Sequence, residues 1–127
     1  MTGQQLLESA LDLCALRETD ASIPADCADA TQRAPALINL LLAENAKLDA
    51  RVSGEEAEVH SITSLTDTVP ACDLVAAGVL PYGLARLLLT GDDDYAAQKL
   101  GEMYETARAN LLRNGHCESG SIEEVYP

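Results

Sequence analysis

A chain of 127 residues has room for one domain with a full core, and two domains would each be very small. Trp and Phe are absent and Tyr occurs four times, so Leu, Ala, Ile and Val must fill that core, which suits closely packed helices better than a sheet. Eight basic residues against 21 acidic ones leave a net charge of −13 spread over both halves, a field that repels nucleic acid and anionic membrane and disfavours direct DNA binding.

The opening Met1-Thr2-Gly3-Gln4-Gln5 lacks the basic stretch of a secretory signal, and the apolar runs fall short of the ~20 residues a membrane span needs. The expectation is a cytoplasmic protein. Cys14, Cys27, Cys72 and Cys117 form no CxxC pair and read as reduced residues, three of them core fillers.

In chain order, residues 2–17 predict a helix with Thr2 as N-cap. Leu6, Leu7, Ala10, Leu11, Cys14 and Leu13 recur at helical spacing to give it one apolar face. Residues 18–24 read as a loop that Pro24 closes. A second helix lies within 26–51, with a stripe of Ala34, Leu37, Ile38, Leu41, Leu42, Leu48 and Val52. Pro35 either sits in the first turn of a helix starting near Thr31 or bends a longer one, and the bent long helix is favoured. Asn45 stands where the stripe wants an apolar side chain, which predicts a hydrogen bond to a neighbouring helix. Gly54 is a natural helix stop. Residues 55–68 are polar and without period; Val59, Ile62 and Leu65 are the candidate anchors, and any strand belongs here.

Pro70 followed by Asp73 predicts the next helix start, with Leu74, Val75, Val79 and Leu80 on one side. Gly78 and Pro81 interrupt it, and 82–89 is apolar apart from Arg86. The segment 69–90 therefore reads as a short helix, a kink and a buried central helix, with Gly83 allowing another helix to approach. Gly91 ends it. Asp92, Asp93 and Asp94 then complement the positive end of a closing helix, and Arg108 and Arg113 its negative end, before Asn114 and Gly115 stop it. Ala96, Leu100, Met103, Tyr104, Ala107, Leu111 and Leu112 supply its apolar face. Residues 116–127 read as a flexible polar tail.

No constellation here assembles a nucleophile, a base and an oxyanion donor. Asp92–Asp94 breaks the alternation of a calcium loop at Tyr95-Ala96-Ala97. His116 and Cys117 have only His60 as a further histidine, and Glu55, Glu56 and Glu58 read as a solvated patch. The expectation is no catalytic, metal or cofactor-binding residue. The predicted fold is all-α: a single-domain bundle of about four to five helices over 1–115, with a kinked central helix and a long closing amphipathic helix.

One stretch carries more than generic helix. Leu65-Thr66-Asp67-Thr68-Val69-Pro70, then Val79-Leu80-Pro81-Tyr82-Gly83-Leu84-Ala85-Arg86-Leu87-Leu88-Leu89, then Asp92-Asp93-Asp94 and a helix with Tyr104-Glu105 resembles small helical proteins of tailed-phage and prophage structural modules. Ala34-Pro35-Ala36-Leu37-Ile38-Asn39 is similar in kind, so the likeness spans most of 31–113, on short motifs of common residues. The resemblance implies a non-enzymatic subunit of the head–tail joining (neck, connector) region. Such a subunit binds head or connector proteins, as a homo-oligomer or ring, in the bacterial host or the virion. Gly78, Pro81, Tyr82 and Gly83 are its candidate contact or packing kink. The −13 charge keeps a second expectation open, a small acidic interaction or regulatory module such as a nucleic-acid-mimicking inhibitor.

Overall fold

The computed structural model describes residues 1–14 and 28–114. They form α1 (Gly3–Leu13), α2 (Ala28–Glu44), α3 (Ala46–Ser53), α4 (Asp73–Gly78), α5 (Leu80–Leu89) and α6 (Asp94–Asn114). Among the described residues extended pairing is limited to one bridge between Thr2 and Thr68. With α4 and α5 as two limbs of one bent helix, this is the expected all-α bundle.

The first helix starts as its sequence dictates. Thr2 Oγ1 accepts from the Gln5 backbone at 3.2 Å while Gln5 Oε1 accepts from the Thr2 backbone at 2.9 Å, a reciprocal cap. Leu6, Leu7, Ala10 and Leu11 are fully buried. Leu13, expected on the same face, is 39% exposed. The rest of the expected 2–17 helix, the 18–24 loop and Cys27 lie outside the described residues.

The second helix continues through Pro35, as the longer reading required, but the chain divides at Asn45 instead. There the Asn45 backbone N–H and its side-chain Nδ2 both donate to the Leu41 carbonyl, at 3.0 and 2.9 Å. A side chain competing for a ladder acceptor loosens the regular turn. The ladder resumes at once, since Asp49 N donates to the Asn45 carbonyl at 2.8 Å. Gly54, with φ 82°, closes α3 in the left-handed conformation.

The polar connection after α3 forms no strand, yet it is fastened. Asn39 substitutes for a strand neighbour: its Nδ2 donates to Ile62 O at 2.9 Å and its Oδ1 accepts from Ile62 N at 2.7 Å. Gly3, Gln4 and Val69 donate to the carbonyls of Asp67, Leu65 and Met1, which ties the segment to the start of α1. Asp67 accepts from the Thr63 and Ser64 backbones and the Thr63 hydroxyl, bonds that hold its carboxyl below the usual range. Ile62 is buried and Leu65 half-buried, whereas Val59, expected as a third anchor, is 68% exposed.

The fifth helix occupies the middle of the bundle, against α1, α2, α4 and α6. Leu80, Leu84 and Ala85 are fully buried, as an all-round apolar helix requires. In the preceding limb Val75 is buried but Leu74 points out.

The last helix is capped by its aspartates: Asp93 Oδ1 accepts from Ala96 N at 3.1 Å and Asp94 Oδ1 from Gly91 N at 2.9 Å. Its inner seam is narrower than the sequence suggested. Ala97, Leu100 and Tyr104 are buried, and Ala107 and Leu111 pack beside them, at spacings of 3 and 4. Such a stripe suffices when a helix packs mainly on one neighbour, here α5. Met103 and Leu112 are left outside, each 47% exposed, and Ala96 gives its expected place to Ala97.

Candidate functional site

The bend between α4 and α5 follows from one missing donor. Pro81 has no N–H to offer the Ala77 carbonyl, and Val79 leaves helical geometry at φ −122° and ψ −50°. The disturbance stays local: Val79 N still reaches Val75 O at 3.0 Å, and Gly83 N reaches Val79 O at 3.4 Å. Pro81 lies in the first turn of the new helix, where it is tolerated.

The four kink residues divide into two pairs. Pro81 and Gly83 are buried, whereas Gly78 is exposed and Tyr82 half-buried. A Cβ on Gly83 would lie 2.8 Å from Tyr104 Cε1 and 2.8 Å from Leu41 Cδ2, so α2, α5 and α6 meet at a position only glycine fits. A Cβ on Gly78 would meet nothing within 4 Å. Packing therefore explains one glycine and not the other.

Tyr82 forms a ridge between two surface grooves. On one side a groove of about 490 Å³ is lined by Gly78, Met103, Thr106 and Ala107, with Glu102 on its edge. On the other, a groove of about 360 Å³ is lined by Ser9, Leu13, Ala77 and Pro81, with Asp12 on its edge. Met103 of α6 and Leu13 of α1, both left exposed, thus stand on opposite sides of the same tyrosine. The surface offers an aromatic ridge, an apolar side chain in each flanking groove, and an acidic edge to each.

Against Gly83 lies a polar cluster built on Tyr104, which is fully buried. Its hydroxyl donates to Glu44 Oε1 and accepts from Asn45 Nδ2 at 2.8 Å. Asn45 Oδ1 accepts from Arg108 Nε at 3.0 Å, and Arg108 also pairs with Glu105 at 3.2 Å. Both Arg86 and Arg108 place their guanidinium carbons over the Tyr104 ring, 5.3 and 5.5 Å from its centroid. Burial, aided by the hydrogen bond to Glu44, pushes the phenol up to about 12. Asn45 therefore makes the interhelical hydrogen bonds its position predicted. Arg108 is spent on this cluster instead of the helix end assigned to it. The roles of Glu44 and Arg86 had no sequence signal beyond a polar residue inside each apolar stretch.

The remaining candidates do not converge. His60 is exposed and pairs with Glu58 at 3.1 Å; Glu55 and Glu56 are also exposed. Among the described residues no group of three or more His, Cys, Asp or Glu side chains is placed to hold a metal. Cys14 and Cys72 are half-buried, Cys14 Sγ donating to the Ala85 carbonyl at 3.7 Å. His116 and Cys117 lie outside the described residues. No described helix is long and apolar enough to cross a membrane. Comparisons with protein-family models, curated proteins and solved structures found no significant match.

Proposed function

We propose that this chain is a non-enzymatic structural or assembly protein of the head–tail joining region of a tailed phage or prophage, acting through protein–protein contacts. The observation that carries the reading is the joint between Gly83 and Tyr104. It joins two of the segments that carry the family resemblance, Leu80-Pro81-Tyr82-Gly83-Leu84-Ala85 and Tyr104-Glu105, and Tyr82 beside it lines both surface grooves. A subunit of this kind needs a rigid body with a shaped contact surface, and the kink supplies the shape. Its partners are head or connector proteins, and it works in the bacterial host during assembly or within the virion.

Gene neighbourhood and co-purification test this together. Terminase, portal and capsid genes beside the coding sequence, and a complex with one of their products, are the expected result. A strict monomer that ignores its genomic neighbours overturns it. The net charge of −13 supports a second reading, an acidic module that engages a basic partner as a nucleic-acid mimic. A pull-down that recovers no basic protein removes that support.

A further inference from the structure

Away from the kink, a groove of about 430 Å³ is shared by α2, α3, α6 and the connection after α3. Ala43, Leu48 and Ala57 give it an apolar lining, and Val59 and Lys47 stand exposed beside them. Val59 is 68% exposed, an aliphatic side chain that the fold brings to a groove and leaves open. The two carboxylates of the lining are already engaged, Glu44 by the Tyr104 hydroxyl and Glu58 by His60 at 3.1 Å.

The basic residues at this place are the ones left over. Arg33 pairs with Asp29 and Lys99 with Glu102, Arg86 lies over Tyr104, Arg108 bonds Asn45 and Glu105, and Arg113 bonds Asn110. Arg17 lies outside the described residues. Lys47 and Arg51 remain, one turn apart on α3, exposed and without a carboxylate among the described residues. On a chain of charge −13, two free cations beside a bare valine call for an occupant both acidic and apolar.

The chain carries such a segment. Residues 115–127 lie outside the described ones, and their sequence holds Ile122, Val125 and Tyr126 together with Glu118, Glu123 and Glu124, without a lysine or arginine. Arg108, on the groove, is about 9 Å of helix from Asn114, and residues 115–121 span at most about 25 Å. The stretch 122–126 is therefore within reach.

We infer that Ile122-Glu123-Glu124-Val125-Tyr126 docks on this groove of its own chain, its apolar side chains against Val59 and its carboxylates against Lys47 and Arg51. Exposed ion pairs contribute little one by one. The short tether offsets this, because it presents the segment at a local concentration on the order of 1 mM, so that even a weak contact is populated. The docked segment covers Val59 and closes the groove to other proteins until it is displaced. The inference stands independently of the phage reading.

Carbodiimide coupling of the full chain at low concentration tests this, since it joins a lysine amine to a carboxylate only where the two touch. Lys47 and Lys99 are the two lysines of the sequence, so the products are few. A link from Lys47 to Glu123 or Glu124 within the 13.4 kDa monomer is expected, with Lys99 coupling to neither. Val59→Asp, at an exposed position, and Ile122→Asp should each lower the yield by about fivefold or more. Added salt should lower it as well. No Lys47 product, equal coupling of both lysines to Glu123 and Glu124, or a yield that neither substitution changes would overturn the inference. Links found only between two chains would overturn it in favour of a second copy as the occupant.

Discussion

Gly83 and Tyr104 occupy one another's space: the Cβ that Gly83 lacks would sit 2.8 Å from the tyrosine ring. Gly83→Ala should therefore lower stability by about 1–3 kcal/mol, the usual cost of overpacking, even though alanine is the better helix former. Urea denaturation measures it. In a Tyr104→Leu background the same substitution should cost less, because the ring edge it strikes is gone.

Gly78 should behave in the opposite way. It lies inside α4 with open space where a Cβ would go, so Gly78→Ala should raise stability by roughly 0.5–1 kcal/mol. A loss of stability on thermal denaturation would mean that the kink needs a flexible residue there.

The Tyr104–Asn45 hydrogen bond can be weighed by a double-mutant cycle. Tyr104→Phe removes a hydroxyl held by Glu44 and Asn45 and should cost about 1 kcal/mol. Asn45→Ala strands the Arg108 donor as well and should cost about 1–3 kcal/mol. The two losses should sum to more than the double variant shows, by at least about 0.5 kcal/mol. Strict additivity would mean the two groups act independently.

The same phenol sets an alkaline limit. Its folded pKa of about 12 lies above the ordinary 10, so the fold favours the protonated form. The corresponding stabilisation is complete below pH 10 and is lost as pH rises from 10 through 12. Tyr104→Phe should flatten that part of the stability–pH profile, by up to about 2 kcal/mol. An unchanged alkaline slope in the variant would assign it to other groups.

Much of this fold was legible because local rules and burial agreed. Thr2 with Gln5, Gly54, and Asp93 with Ala96 are caps whose partners lie within a few residues, so the sequence displays both halves of each bond. The α5 stretch is apolar apart from Arg86 and has nowhere to go but the centre. What was hidden depended on distant partners. The break at Asn45 requires knowing that its amide turns to Leu41 and Tyr104. Val59 and Ile62 are equally apolar, and only Asn39, more than twenty residues earlier, decides that Ile62 is the one held. Met103 and Leu13 fit their helical stripes by period, but each helix has fewer neighbours than its apolar residues could cover. For the candidate site, the sequence marked the kink residues; the grooves beside Tyr82 exist only once α1 and α6 flank it.

The most direct test of the contact surface is light scattering of the purified chain mixed with the products of its flanking genes, for the wild type and Met103→Glu. The wild type is expected to form a complex that the substitution abolishes while the melting temperature of the chain itself is unchanged. A wild-type complex that Met103→Glu leaves intact, or no complex with any neighbouring product, would contradict it.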